Sequence, residues 1–138
     1  MRRIAFIGLG VLAAAGCGGG EPRENLARPP VPITMTAAIQ DDVVRVSPAS
    51  VGAGPIRLVI SNQSDRPQTV TFETDELGGK MGGVRATSRK IVAHGTGGLT
   101  IDARRGTYSV HVGDRAIRPA RVEVGPPRPS AQNRVLLP

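Results

Sequence analysis

The chain has 138 residues, a formal net charge of +7 at pH 7, a single cysteine and only 2% aromatic residues. This length suits one domain of ordinary size, and one cysteine cannot form a disulfide within the chain. So few aromatic side chains argue against the stacking sites that bind carbohydrate or single-stranded nucleic acid. The basic residues are scattered, so no nucleic-acid partner is expected. Two explanations of the arginine excess stay open: the codon bias of a GC-rich genome, or attraction to anionic lipid head groups and acidic envelope polymers.

The first segment has the order of an export signal. Arg2 and Arg3 precede the apolar run Ile4–Ala15, and the small residue Gly16 precedes Cys17. The segment resembles the signal peptide of a bacterial lipoprotein. The resemblance implies cleavage between Gly16 and Cys17, after which Cys17 carries acyl chains such as palmitate. The resemblance implies an exported protein held by lipid on the outer face of the cell membrane or on a periplasm-facing membrane. An ordinary signal peptide is the alternative, whereas a retained span needs about 20 apolar residues.

Composition divides the chain into four segments. Residues 1–16 are the predicted signal peptide, and residues 17–32, rich in glycine, proline and charge, are predicted to be a flexible tether. Residues 33–125 contain the apolar runs and are predicted to be the folded domain. Residues 126–138 form a proline-rich tail, and the sequence at 125–130 is expected to break any strand.

Short β-like runs with glycine, proline and asparagine turns fill the domain, and none shows a sustained helical period. Their spacing of about ten residues predicts an all-β protein, an antiparallel sandwich or barrel of seven to eight strands. Strict alternation near the end places Tyr108, Val110 and Val112 on the inward face and His111 on the outward face. The predicted strands are Ile33–Ile39, Asp42–Val46, Ile56–Ile60, Gln68–Glu73, Ile91–Ala93, Gly98–Asp102, Gly106–Val112 and Ala120–Val124.

Four short motifs occur in the order typical of one β-sandwich family. They are a glycine-rich turn in Val46–Pro55, a strand closing in asparagine in Leu58–Asn62, the pair Pro67–Gln68, and the tripeptide Gly106–Tyr108. Over residues 40–125 this order resembles a cupredoxin-like domain, which implies an antiparallel Greek-key β-sandwich. An immunoglobulin-like sandwich of another type is the main alternative.

The resemblance also locates the positions where this family holds copper. A blue-copper site needs two histidines and a cysteine thiolate with a weak axial ligand. Gln68 stands where the family pattern has its first histidine, and Val112 stands where it has the cysteine. Residues 115–118 offer no match for the later histidine and methionine. The resemblance therefore implies the scaffold without its copper site, and no cofactor is expected.

Two other metal sites are weaker interpretations of the sequence. His94, His111 and Met81 could bind copper transiently, but solvated histidines are the better expectation. A weak Ca²⁺ site would use three acidic residues near one strand end, Glu73, Asp75 and Glu76. Their spacing matches no dedicated calcium-binding loop and is more typical of a charged loop.

No catalytic motif is found. The segment Gly78–Met81 lacks the residues of a phosphate-binding loop, and Ser88 has no general base near it in the sequence. The chain is not expected to be an enzyme. It is expected to be a membrane-anchored lipoprotein with a non-catalytic binding or envelope module.

Loops on a rigid sandwich commonly carry recognition. The predicted working surface is therefore the glycine-rich loop 77–83, with nearby cations: Lys80, Arg85, Arg89 and Lys90. Its expected partners are anionic envelope polymers or a membrane protein. The alternatives are a protein that handles copper transiently through histidine and methionine, and an accessory subunit of a membrane oxidase.

Overall fold

The computed structural model describes residues 29–75 and 83–130. The predicted signal peptide 1–16, Cys17, Lys80 and residues 131–138 of the tail lie outside these ranges. The described residues form eight strands: β1 (Ile33–Ile39), β2 (Val44–Ser47), β3 (Ser50–Asn62), β4 (Val70–Thr74), β5 (Arg85–Thr87), β6 (Thr96–Ala103), β7 (Gly106–Val112) and β8 (Ala120–Pro127). Within the described ranges, no helix has the length and apolar character needed to span a membrane.

The strands form two layers that share β3. The second half of β3 lies between β1 and β6, and β2 extends this layer beyond β1. The first half of β3 pairs with β8, and the second layer continues through β7 and β4 to β5. β3 therefore passes from one layer of the sandwich to the other.

The change of layer takes place around Gly54. Its φ of 125° is a conformation that residues with a Cβ rarely adopt, and the pairing of β3 with β8 shifts register between Gly52 and Ala53. A bulge of this kind bends a strand and increases its twist. It lets one strand contribute to both layers.

The core lies between the layers and follows the period-two alternation of the strands. One layer contributes Ile56, Leu58 and Ile60, and the other contributes Phe72 and Tyr108, all fully buried. The rings of Phe72 and Tyr108 meet edge to face, with centroids 5.4 Å apart, which is a favourable aromatic geometry.

The predicted all-β sandwich with seven to eight strands is confirmed, and most strand positions agree with the prediction. Two of the described pairings, β1 with β3 and β3 with β8, are parallel, so the sheets are not purely antiparallel as expected. Ile91 makes only an isolated bridge to Gln68, where a strand was predicted over residues 91–93. The sequence pattern missed β5.

β8 continues to Pro127, past the point where the sequence predicted a break. Proline is tolerated where its missing N–H would face away from the ladder, and this end of β8 runs beside the bulge in β3. Beyond it, the Arg128 guanidinium donates to the carbonyls of Gly52, Ala53 and Pro55, and to that of Val31 ahead of β1. The first residues of the predicted tail are therefore bound to the domain.

Candidate functional site

The positions that carry copper in the resembling family lie at one end of the second layer. Val70, at the start of β4, pairs with Val112, at the end of β7. Gln68 lies two residues before Val70, and the segment 113–119 follows Val112. The pairing therefore brings Gln68, Val112 and this segment to the same end of the sandwich, called here the Gln68 end.

Gln68 is held in place by its backbone. Its N–H donates to the Ile91 carbonyl at 2.8 Å, and the Ile91 N–H donates back at 2.7 Å. The residue is only 7% exposed, and its side chain makes no hydrogen bond with any described residue. It borders a polar cleft of about 350 Å³ that is also lined by Asp41, Asp65 and Asp114.

Val112 belongs to the core. It is 6% exposed and packs within the same hydrophobic cluster as Val70 and Val110, which confirms the predicted inward direction of this position. Its two methyl groups offer nothing to a metal, since thiolate, imidazole or thioether groups are needed for copper. In the segment that follows, Ile117 turns into the core. The side chains at the Gln68 end therefore do not fit a blue-copper ion.

Asn62, the last residue of β3, fastens the loops around this end. Its side-chain amide donates to the carbonyls of Arg66 at 2.7 Å and Val92 at 3.0 Å, and more weakly to that of Ile91 at 3.3 Å. Its Oδ1 accepts from the N–H and hydroxyl of Ser64. This one buried amide makes five hydrogen bonds, as buried polar residues must be paired. The three carbonyls also accept from Ser64, Gly95 and Gln68.

The two histidines lie in different surroundings. His94 is exposed, has a positive φ of 55°, and its Nε2 lies 3.1 Å from Asp65 Oδ1. His111 points outward from β7 as predicted, but it is not simply solvated: its side chain is 31% exposed and its Nε2 lies 2.9 Å from Glu73 Oε1. The His111 interaction corrects the expectation of a free histidine.

Glu73 is the centre of a small charged group on the outer face of the second layer. Its Oε2 lies 3.1 Å from Arg85 Nε, an ion pair that falls outside hydrogen-bond geometry. Asp75 pairs instead with Arg121 at 3.3 Å, and Glu76 lies outside the described residues. Among residues 29–75 and 83–130, no three histidine, cysteine or acidic side chains are grouped so that they could hold a metal ion.

The predicted basic surface is not gathered at one place. Arg85 pairs with Glu73 in the register of β5 and β4, whereas Arg89 and Lys90 precede Ile91, which bridges to Gln68. Glu73 on β4 and Gln68 ahead of β4 are five residues apart, which is up to about 17 Å of extended chain. Arg89 and Lys90 border a separate groove of about 410 Å³ between β5 and β6.

Ser88, the serine considered as a nucleophile, has a structural role. It is buried, its hydroxyl accepts from the Val70 N–H at 3.0 Å, and it donates to the Arg89 carbonyl at 2.8 Å. Both contacts fix the course of the chain after β5. Nothing in the local sequence indicates the structural role of Arg128. The strand closing in asparagine was a signal for that of the Asn62 side chain.

Tyr108 closes the turn between β6 and β7. Its hydroxyl accepts from the Arg104 N–H and donates to the Arg104 carbonyl, both at 2.9 Å. Burial raises the pKa of this hydroxyl above its ordinary value near 10, and this outweighs the opposing effect of the backbone bond to Arg104. The tyrosine of the Gly106–Tyr108 motif is therefore a structural anchor.

The comparisons with known proteins concern the fold. Neither a protein-family model nor a curated protein matches the chain. Among solved structures it is similar to auracyanin A, a "blue" copper protein from the green thermophilic photosynthetic bacterium Chloroflexus aurantiacus, with 14% identity and a TM-score of 0.53 over 69% of this chain and all of that chain. An oxidized mutant of amicyanin also matches, with 15% identity and a TM-score of 0.44 over 64% of this chain and 79% of that chain.

At this level of identity the likeness concerns architecture alone. The eight strands, the two layers and the likeness to auracyanin A agree with one another. The chain has the fold of a cupredoxin-like β-sandwich.

Proposed function

We propose that this protein is an exported lipoprotein, anchored through acylated Cys17, whose cupredoxin-like domain is a non-catalytic binding module without a blue-copper centre. The carrying observation is the side chain of Val112. This side chain is buried in the hydrophobic core, at the position where the family pattern has the cysteine thiolate that binds copper.

The chemistry of the Gln68 end supports this proposal. Gln68 replaces an imidazole, a good copper ligand, by an amide, which is a poor one. His111 and His94 have separate carboxylate partners, Glu73 and Asp65. Two of the ligands that a blue-copper centre needs are therefore replaced, and the histidines of the domain are engaged elsewhere.

The case for the anchor comes from the N-terminal sequence. An apolar run of twelve residues with two arginines before it and a glycine–cysteine pair after it suits an export signal and is too short for a retained span. One acyl chain gives marginal, reversible membrane binding, whereas several chains give stable attachment. The diacylglyceryl group of a lipoprotein supplies more than one.

Labelling with radioactive palmitate tests the anchor. The wild-type protein should carry the label and sediment with membranes, whereas the Cys17→Ser variant should lose both the label and the sedimentation. Met81→Ala is a matched control, because it leaves the signal segment intact and should keep both. An unlabelled wild-type protein, or a Cys17→Ser variant that stays on the membrane, would contradict the proposal.

Titration with Cu(I) and Cu(II) tests the binding module. The acylated protein in mild detergent should show no micromolar binding and none of the intense visible absorption of a copper–thiolate bond. The variants His94→Ala and His111→Ala should give the same flat titration as the wild type. Micromolar binding that either variant abolishes would favour transient copper handling instead.

A further inference from the structure

β6 is an edge strand without the usual protection. Among the described strands it pairs with β3 alone, so alternate N–H and C=O groups along its other edge have no strand partner. Natural edges are commonly blocked by lysine, proline or a bulge, yet residues 96–101 are Thr-Gly-Gly-Leu-Thr-Ile and pair with β3 in unbroken register. This edge can accept another strand.

The unpaired edge faces a groove. The groove of about 410 Å³ has residues 96–100 on one side and Thr87, Arg89 and Lys90 on the other, with Ile91 and Leu99 buried at its floor. The Ile91 side chain packs directly against Gly97, since a Cβ at position 97 would lie only 2.7 Å from it. A second groove, of about 520 Å³, continues over Gly98 onto the outer face, where it reaches Arg57 and Val59.

Both grooves are positively charged. Arg57, Arg89 and Lys90 are exposed, and they make no ion pair or side-chain hydrogen bond with any described residue. The residues that line the two grooves include no aspartate or glutamate. A ligand of complementary charge is therefore acidic.

We propose that β6 binds an extended acidic peptide segment of a partner protein as an added strand, with its carboxylates near Arg57, Arg89 and Lys90. Main-chain hydrogen bonds to an open edge are the basis of recognition by strand addition, and an acidic polysaccharide has no such regular ladder to offer. The proposal names the partner class of the binding module and so rests on the proposed function.

Fluorescence anisotropy with a defined probe tests the proposal. The probe is a labelled, acetylated octapeptide of alternating threonine and glutamate, added to the full chain in mild detergent. The octapeptide should bind, and its addition should shift the NMR signals of the backbone amides of residues 96–101. The double variant Arg89→Glu, Lys90→Glu should weaken binding about tenfold or more, because two attractive contacts become repulsive.

Two controls separate strand addition from general attraction to negative charge. Arg115→Glu, an exposed arginine outside the two grooves, should leave the affinity within about twofold. The same octapeptide N-methylated at every residue keeps its charge but loses the N–H donors of both strand edges, and it should fail to bind. Equal binding of the methylated peptide would overturn the proposal.

Polygalacturonate tests the other class of acidic ligand. It should compete poorly with the octapeptide. Tight binding of this polymer, with no binding of the octapeptide below about 1 mM, would overturn the proposal in favour of an acidic polysaccharide. The palmitate and copper experiments would be unaffected by that outcome, so failure of this inference is distinguishable from failure of the proposed function.

Discussion

The hydroxyl of Tyr108 both donates to the carbonyl of Arg104 and accepts from its N–H, at 2.9 Å in each case. The two residues are four positions apart, and the pair closes the turn that joins β6 of one layer to β7 of the other. The two layers are thus held together at the end opposite Gln68.

The environment of Tyr108 predicts its titration. It is the only tyrosine and the chain has no tryptophan, so absorption of the phenolate reports this one group. Because burial raises its pKa, the midpoint should lie above 10 in the folded protein. A midpoint at or below 10 in the folded protein would contradict the described burial.

Stability should follow the same shift. A tyrosine whose pKa is higher in the folded state contributes stability that is fully present below the unfolded-state pKa. That contribution is lost as the pH rises through the folded-state pKa. The free energy of unfolding should therefore fall above about pH 10. In Tyr108→Phe this fall in the free energy of unfolding should be smaller. At neutral pH the variant should be less stable than the wild type by about 1–2 kcal/mol, because two hydrogen bonds are lost.

Asn62 should be one of the most sensitive polar positions. In Asn62→Ala the buried N–H of Ser64 loses its acceptor, and the carbonyls of Arg66 and Val92 each lose one of two donors. A buried group left unsatisfied costs about 1–3 kcal/mol, and each further lost hydrogen bond costs about 0.5–1.5 kcal/mol. We expect a loss of about 3 kcal/mol in urea unfolding. Gln63→Ala, at the exposed neighbour, should change stability by less than about 0.5 kcal/mol. Equal effects of the two substitutions would show that Asn62 does not hold these loops.

Arg128 should stabilise the domain through its planar guanidinium. Its Nε and both terminal nitrogens donate to backbone carbonyls of the β3 bulge and of Val31. Arg128→Ala should cost about 2 kcal/mol, and Arg128→Lys should recover little, because an ammonium cannot reproduce a fork of donors. Thermal unfolding of the two variants measures this. Full recovery by lysine would mean that charge alone accounts for the effect.

Removing residues 128–138 tests the same contact without a side-chain change. If the start of the tail is bound to the domain as described, this truncation should lower stability by at least as much as Arg128→Ala. Truncation after residue 130 keeps Arg128 and is the matched control, which should retain the contribution of the guanidinium. No difference between the two truncations would contradict the contact.

The strands that could be predicted were those with one buried face. In β7 the alternation of Tyr108, Val110 and Val112 marks the core side without any knowledge of the partner strand, because one face of a half-buried strand must be apolar. The same pattern located Val112 in the core and His111 outside. The partner of His111 was not predictable, since Glu73 is 38 positions away on β4.

The elements that were missed depend on partners distant in sequence. The first half of β3 has a glycine- and proline-rich sequence typical of a turn, yet it is a strand because β8 lies beside it in parallel. Ile91 has the apolar neighbours of a strand, but its segment makes only one bridge, to Gln68, and its side chain packs against Gly97 of β6. Neither the pairing of β3 with β8 nor the single bridge of the Ile91 segment can be predicted from the local sequence pattern.

Copper content most directly tests the central claim, that this cupredoxin-like domain works without a blue-copper centre. The acylated protein would be loaded with excess Cu(II) in detergent, passed through a desalting column and analysed for copper by mass spectrometry. The account predicts far less than one copper per chain, for the wild type as for His94→Ala and His111→Ala. One copper per chain retained by the wild type would contradict it.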